Sequence, residues 1–431
     1  MDRVNLESDQ QNGTATLYQG GEVASSDAAP RRADVLVGAE GEILGVGEAL
    51  SAPDGAEVVD CSAKLLVPGM FDLHVHACEP GREDREDIGT CSEAAIAGGI
   101  TGIVLMPDAS PAIDSSGMVQ SVLDSAAKAR IEVHTAGAIT RGRGGEELSG
   151  IAGMKAKGVR MLTDADLPVS NPLVLRRAME YARDMGVLLA SHCETLELSG
   201  AGAVHEGALS YQLGVPGIPA ISEEICVYRD LRLAQFTNCP IHIQQLSTAK
   251  AMKAVRYFKE QDVQVTCEVS PHHLIFSQDD LVDYDTNLKV NPPLRPEDDR
   301  ERLVQGLIDG TIDCIASDHS PRTKFEKNMA FGEAPFGMTG LETAVLALHH
   351  HLIKPGILSW EILISRYSDA PRRVLGLPQV SIAEGEQASF FVFDPSATTP
   401  IEVATLQSKS HNTPFLGREL DGRIERVELP R

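Results

Sequence analysis

The chain has 431 residues, and 38 lysines and arginines against 62 aspartates and glutamates give it a formal net charge of −24. That field repels polyanions and anionic membrane surfaces, so neither nucleic acid nor a membrane is expected as a partner. With 42% hydrophobic residues, 38 glycines and 24 prolines, the chain suits two or three domains, or one large barrel with an added module.

Residues 1–30 are polar and rich in small side chains, and loose order is expected at their start. Residues 1–9 have neither a basic region nor an apolar run, so no secretory signal is expected there. From Ala33 onward the text becomes short β-like pieces punctuated by glycine: 34–38, 41–47 and 56–61. A similar texture returns at 389–395 and 423–429, which predicts one small β-sandwich assembled from both ends of the chain. The predicted division is 1–65 and 376–431 for the two halves of the sandwich, with 66–375 between them.

That middle alternates short apolar strands with helix-length amphipathic stretches such as Pro172–Met185 and 249–261. Strands are predicted around Phe71-Asp72-Leu73 and at 102–106, 132–137, 159–162, 187–190, 240–243, 264–267 and 312–316. Eight β segments in βαβα order are the count for a (β/α)8 barrel, an α/β fold of the TIM type. No run approaches the roughly 20 apolar residues of a membrane span. The eight cysteines (61, 78, 91, 193, 226, 239, 267 and 314) are scattered without a C-x-x-C pair. Reduced, buried thiols in a cytoplasmic protein are expected from that pattern.

In such barrels the reactive groups lie where strands end and βα loops begin. Those ends carry His74 and His76, then Met106-Pro107-Asp108, Asp164 and Asp166, His192-Cys193-Glu194, Gln244-Gln245, His272-His273 and Asp318-His319. Alternate residues of a strand point the same way, so the two imidazoles of His74-Val75-His76 can grip one ion. Imidazole with carboxylate favours Zn²⁺, with Mn²⁺ and Fe²⁺ as alternatives. A single histidine at a strand end is more often a hydrogen-bonded structural residue. The conjunction of His74, His76, His192 and Asp318 is what points to a metal. His349-His350-His351 is read as a partly solvated helix face, and the stretch from Arg141 to Gly145 as a flexible loop, since it lacks a phosphate-loop ending.

Val67-Pro68-Gly69-Met70-Phe71-Asp72-Leu73-His74-Val75-His76, with Glu79-Pro80-Gly81 after it, resembles the amidohydrolase superfamily and within it the type I dihydroorotases. Further matches run through Ala190-Ser191-His192-Cys193-Glu194, Glu268-Val269-Ser270-Pro271-His272-His273, Asn291-Pro292-Pro293-Leu294-Arg295, Ala316-Ser317-Asp318-His319 and Ala334-Pro335-Phe336-Gly337. The resemblance implies metal-assisted hydrolysis of a cyclic amide, or the reverse condensation that makes dihydroorotate from carbamoyl-aspartate in pyrimidine synthesis. It implies that His74, His76 and Asp318 hold a first metal, that His192 points at a second, and that Asp318 is the catalytic base and acid. It also implies a small-molecule substrate and a homo-oligomer.

Several positions depart from the family's pattern. The bridging ligand falls on Ala165, leaving Asp164 or Asp166 as substitutes, and Gln245 stands where the second metal's other histidine belongs. One zinc ion with a weak or empty second site is therefore expected. Cys78 replaces the arginine that clamps the substrate carboxylate, Asp108 replaces an asparagine, and Arg322 replaces a histidine, while Asn291 is kept. Substrate contacts are expected from Asn291, Arg322 and Asp108, with Arg322 supplying the replacement cation. Two other readings stay open: a non-catalytic subunit that supports aspartate carbamoyltransferase, and an allantoinase or hydantoinase relative.

Overall fold

The computed structural model describes residues 14–281 and 283–430; residues 1–9, where the absence of a signal was inferred, lie outside the described residues. Eight strands of the middle of the chain build a ring. They are β1 (Met70–Val75), β2 (Ile100–Leu105), β3 (Glu132–Thr135), β4 (Met161–Leu162), β5 (Leu188–His192), β6 (Ile241–Gln244), β7 (Val265–Val269) and β8 (Cys314–Ile315). Sequential neighbours pair in parallel. A parallel bridge between Gly137 and Leu162 joins the end of β3 to β4, and another between Val75 and His319 returns the chain beyond β8 to β1. The ring closes as the predicted (β/α)8 barrel, and all eight predicted segments overlap their strands.

β1 and β2 are buried along their whole length. Helices cover the outer face of a parallel barrel and side chains fill its interior, so both faces of each strand are dry. Inward-facing Phe71, Leu73, Val104, Met106, Ala136, Met161, Ala190 and Ala316 form one apolar cluster. Four of these are bulky, and the alanines keep the layer narrow beneath the polar strand ends. Outside, Ile103, Leu189, Ile243 and Val269 join the large cluster shared with the helices. The predicted helix Pro172–Met185 is observed at those bounds: Asn171 caps it by accepting from the Leu173 amide, and Gly186 ends it in a left-handed conformation.

The ends of the chain meet in two small sheets. One runs Ile43–Gly47, Asp34–Val37, Thr16–Gln19, Glu57–Asp60; the other runs Glu419–Glu428, Phe390–Pro400, Leu65–Pro68, Glu22–Val23, Arg31–Arg32. The Leu65–Pro68 strand shows why they sit beside the barrel. By the period of two, Leu66 packs with Tyr18, Val35 and Phe390, while Leu65 and Val67 turn into the barrel's outer core.

Of His349-His350-His351, read as a partly solvated helix face, His350 and His351 are half-buried and only His349 departs from that reading. They form a π-helical turn in which His349 is buried, its ring 4.8 Å from Phe393 and 5.8 Å from Trp360. All eight cysteines are free and buried. Among the described residues no helix is long and apolar enough to cross a membrane.

Candidate metal centre

Four strand ends converge above the apolar layer. His74 lies in β1 and His76 just beyond it, and the Nε2 atoms of both face Oδ1 of Asp318, beyond β8, at 3.7 and 3.9 Å. All three side chains are buried, and their ligand atoms lie within 4.8 Å of one another. The far sides of the two rings are tied to carboxylates. His74 Nδ1 is 2.7 Å from Oε1 of Glu268, in β7, and His76 Nδ1 is 2.8 Å from Oδ2 of Asp108. A carboxylate on Nδ1 fixes the proton there and leaves the Nε2 lone pair free, which is the arrangement that orients histidine ligands of metals. His74 Nε2 is buried with no hydrogen-bond partner of its own. An orphaned imidazole nitrogen, a second imidazole and a carboxylate facing one space fit a single divalent ion.

The electrostatics follow from these contacts. Burial opposes charge on His74, but the bond to Glu268 and the charges of Glu268 and Asp318 outweigh it and raise its pKa to about 9. Burial likewise opposes ionisation of Glu268, yet bonds from His242 and His74 hold it at about 2. Asp108 is held below the ordinary carboxylate range, because His76, then Arg143 and Arg322, overcome its burial. Asp318 is raised by burial, with His74, His76 and the Gln245 amide pulling the other way.

Asp164 is not brought into this centre. Its Oδ1 accepts from the amides of Ile139 and Thr140 at 2.9 and 3.1 Å, and its Oδ2 accepts from the Thr140 hydroxyl. The carboxylate thus stitches the loop after β3 to the end of β4. Asp166 pairs instead with Arg143, whose Nε also donates to the Asp164 carbonyl at 3.0 Å. Arg143 lies in the stretch read as a flexible loop, which is folded here as a 3-10 turn over Arg141–Arg143. Ala165, expected in the bridging slot, is buried with the barrel's apolar layer.

His192 is also outside the three-ligand group. Its Nδ1 is 2.7 Å from Oε1 of Gln245, and its Nε2 is 3.3 Å from Oε2 of Glu194. Gln245 then donates from Nε2 to Asp318 Oδ1 at 2.7 Å. The carboxamide is a strut between the histidine and the aspartate. Asn291 donates to the same Glu194 oxygen at 3.0 Å, on the wall of a narrow recess that also borders His192.

Asp108, expected to meet substrate, is instead turned onto His76. Arg322 lies on the same side, with Asp108 and Cys78 among its electrostatic neighbours; its Nε donates to the Phe336 carbonyl at 2.8 Å and its Nη1 to the Pro321 carbonyl at 3.1 Å. Cys78 is no cation substitute: burial and the Asp108 charge push its thiol up to about 12.

Sequence reasoning left Glu268 without a role and placed His272 only among the polar strand ends. A lone carboxylate in Val265-Thr266-Cys267-Glu268-Val269, an otherwise apolar and β-branched strand, was the available signal. His272 Nε2 is buried without a hydrogen-bond partner, 3.8 Å from Asp318 Oδ2, and burial drives its pKa well below the ordinary value.

The family described as Dihydro-orotase-like matches residues 63–251. The chain is 42% identical to the dihydroorotase of Pelotomaculum thermopropionicum over 94% of its length and 95% of that protein. It is 40% identical to the dihydroorotase of Geobacter metallireducens over 94% and 96% respectively. Among solved structures, the L-hydantoinase (dihydropyrimidinase) of Arthrobacter aurescens superposes with a TM-score of 0.84 at 21% identity, covering 96% of both chains. The D-hydantoinase (dihydropyrimidinase) of a Thermus species does so with 0.81 at 23%, covering 96% of this chain and 94% of that one. These structures share the fold.

Proposed function

The chain belongs to the dihydroorotase family of the amidohydrolase superfamily, and from that premise we propose that it is a metal-dependent hydrolase of a cyclic amide, interconverting dihydroorotate and carbamoyl-aspartate in pyrimidine synthesis. The observation that carries the reading is the convergence of His74, His76 and Asp318, with Glu268 and Asp108 behind the two imidazoles. These three residues would hold one zinc ion. Bound there, the ion supplies Lewis-acid polarisation of the amide carbonyl and lowers the pKa of water.

The rest is the work of the side chains. Asp318 is raised by burial, so its carboxylate is a better base than one in water. It accepts the proton of the attacking water and returns it to the departing amide nitrogen, as base and then acid. Gln245 holds Oδ1 of Asp318 at 2.7 Å and fixes the carboxylate for that exchange. Arg322 is proposed as the cation that meets the substrate carboxylate, with Asn291 orienting the substrate from the Glu194 side. The free, buried cysteines support a reducing compartment, the cytoplasm. Exposed Ile221, Ile225, Tyr228 and Phe236 on one helix support self-association.

The test is hydrolysis of dihydroorotate with zinc content measured alongside. Asp318→Ala is expected to lose one equivalent of zinc and to slow turnover by about 10²–10⁴. Arg322→Ala is expected to raise KM by at least about tenfold, the effect of losing a charge-assisted contact. Normal turnover by Arg322→Ala would remove that residue from substrate binding. If Asp318→Ala still supported pyrimidine synthesis in cells that need this chain but keep another dihydroorotase, hydrolysis would give way to a supporting role toward aspartate carbamoyltransferase.

A further inference from the structure

A second cluster of ligand-type side chains lies behind β5, away from the centre described above. Cys193 follows His192 directly, while Cys226 and Asp230 are one turn apart on the helix Ile221–Thr237 that packs against this strand end. All three are buried, and Sγ of each cysteine and a carboxylate oxygen of Asp230 lie within 4.8 Å of one another. We propose that Cys193, Cys226 and Asp230 bind a thiophilic divalent cation, zinc in the first instance, as a structural site distinct from the catalytic centre.

The geometry suits it. Cys193 Sγ is 3.6 Å from Asp230 Oδ2. A zinc tetrahedron with arms of about 2.3 Å to sulfur and about 2.0 Å to oxygen has a sulfur–oxygen edge of about 3.5 Å. Ser191 Oγ lies 3.8 Å from the same sulfur and donates to the same carboxylate oxygen at 2.7 Å. The other face of the carboxylate is taken by Arg229, whose Nε donates to Oδ1 at 2.7 Å and whose Nη2 reaches Cys226 Sγ at 3.4 Å. Oδ2 is therefore the oxygen turned to the sulfurs. Charge closes as well. Two thiolates and a carboxylate are neutralised by one guanidinium and one divalent ion, and binding releases the two thiol protons. Occupied, the site would pin the segment carrying His192 and Glu194 to the helix.

The full chain, stripped of metal and reloaded with Co²⁺, tests this. A thiolate-to-cobalt charge-transfer band in the near ultraviolet is expected, because the catalytic centre offers only nitrogen and oxygen. Zinc content should fall by one equivalent in Cys226→Ser and by a different equivalent in Asp318→Ala. The band should vanish in the first variant and survive in the second, so failure of the hydrolase reading is seen separately. No thiolate band in the reloaded wild type, or a band unchanged in Cys226→Ser, overturns the proposal. If Cys226→Ser does not fold, the presence or absence of the wild-type band decides alone.

Discussion

At the residue scale, what the histidines offer is set by the carboxylates behind them. Glu268 bridges His74 and His242, at 2.7 and 3.1 Å, in a strand buried on both faces. Glu268→Ala should leave His74 free to rotate or to protonate on the wrong nitrogen. Zinc affinity is expected to fall by about 10–100-fold, read by competition with a chelator, while circular dichroism stays that of the wild type. His74, His76 and Asp318 were legible because the period of a strand and the strand-end rule say which way they point. Glu268 was not, since its partnership with His74 spans 194 positions and only closure of the barrel makes it. Asp164 lies outside the three-residue group for a comparable reason. Two backbone amides and a hydroxyl from the neighbouring loop satisfy it, and competition among donors is invisible in a linear text.

The element scale is governed by Asp72, beneath the site. Its Oδ1 accepts from the His74 amide at 3.0 Å; its Oδ2 accepts from the Ser317 amide at 2.9 Å and the Tyr367 hydroxyl at 2.6 Å. One buried carboxylate thus ties the first strand's ligand-bearing end to that of the last. Asp72→Asn replaces an acceptor by a donor facing other donors. A loss of about 2–3 kcal/mol of stability is expected, measured by urea unfolding, together with weaker metal binding because His74 and Asp318 lose a common anchor. The short β4 and β8 show where the sequence overreached. Segments 159–162 and 312–316 read as longer strands, but in each only two residues keep ladder pairing, because the chain turns early to deliver Thr163-Asp164 and Ser317-Asp318 to the rim.

For the whole molecule, the question is how the barrel and the returning end of the chain hold together. Glu342 contributes at that seam: its carboxylate accepts from the amides of Gln407 and Ser408 at 2.7 and 3.2 Å. Burial, aided by the nearby charge of Glu86 and opposed by those amides, raises its pKa from 4.5 to about 7. The folded state therefore holds the proton more tightly than the unfolded chain. Its stabilising contribution is full below about pH 4.5, is lost as pH rises toward about 7, and changes little above that. Stability should fall by about 2–3 kcal/mol across that window, and Glu342→Gln should flatten the slope when urea midpoints are compared at about pH 5 and about pH 8. The barrel and the β-rich ends were readable because hydrophobic period and glycine punctuation are local. This seam was not, because it joins residues more than 60 apart.

Cys78, Ala165, Gln245 and Asp318 share one further property: each is a non-glycine residue with a positive φ, at 59°, 54°, 50° and 52°. All four follow barrel strands. Left-handed backbone is costly for residues with a Cβ and persists only where the surroundings enforce it. The enforcement here comes from the closed ring beneath, so the rim behaves as a mould whose shape outlives whatever is cast in it. Chemistry can be gained or surrendered one side chain at a time around that rim while the barrel stays as it is.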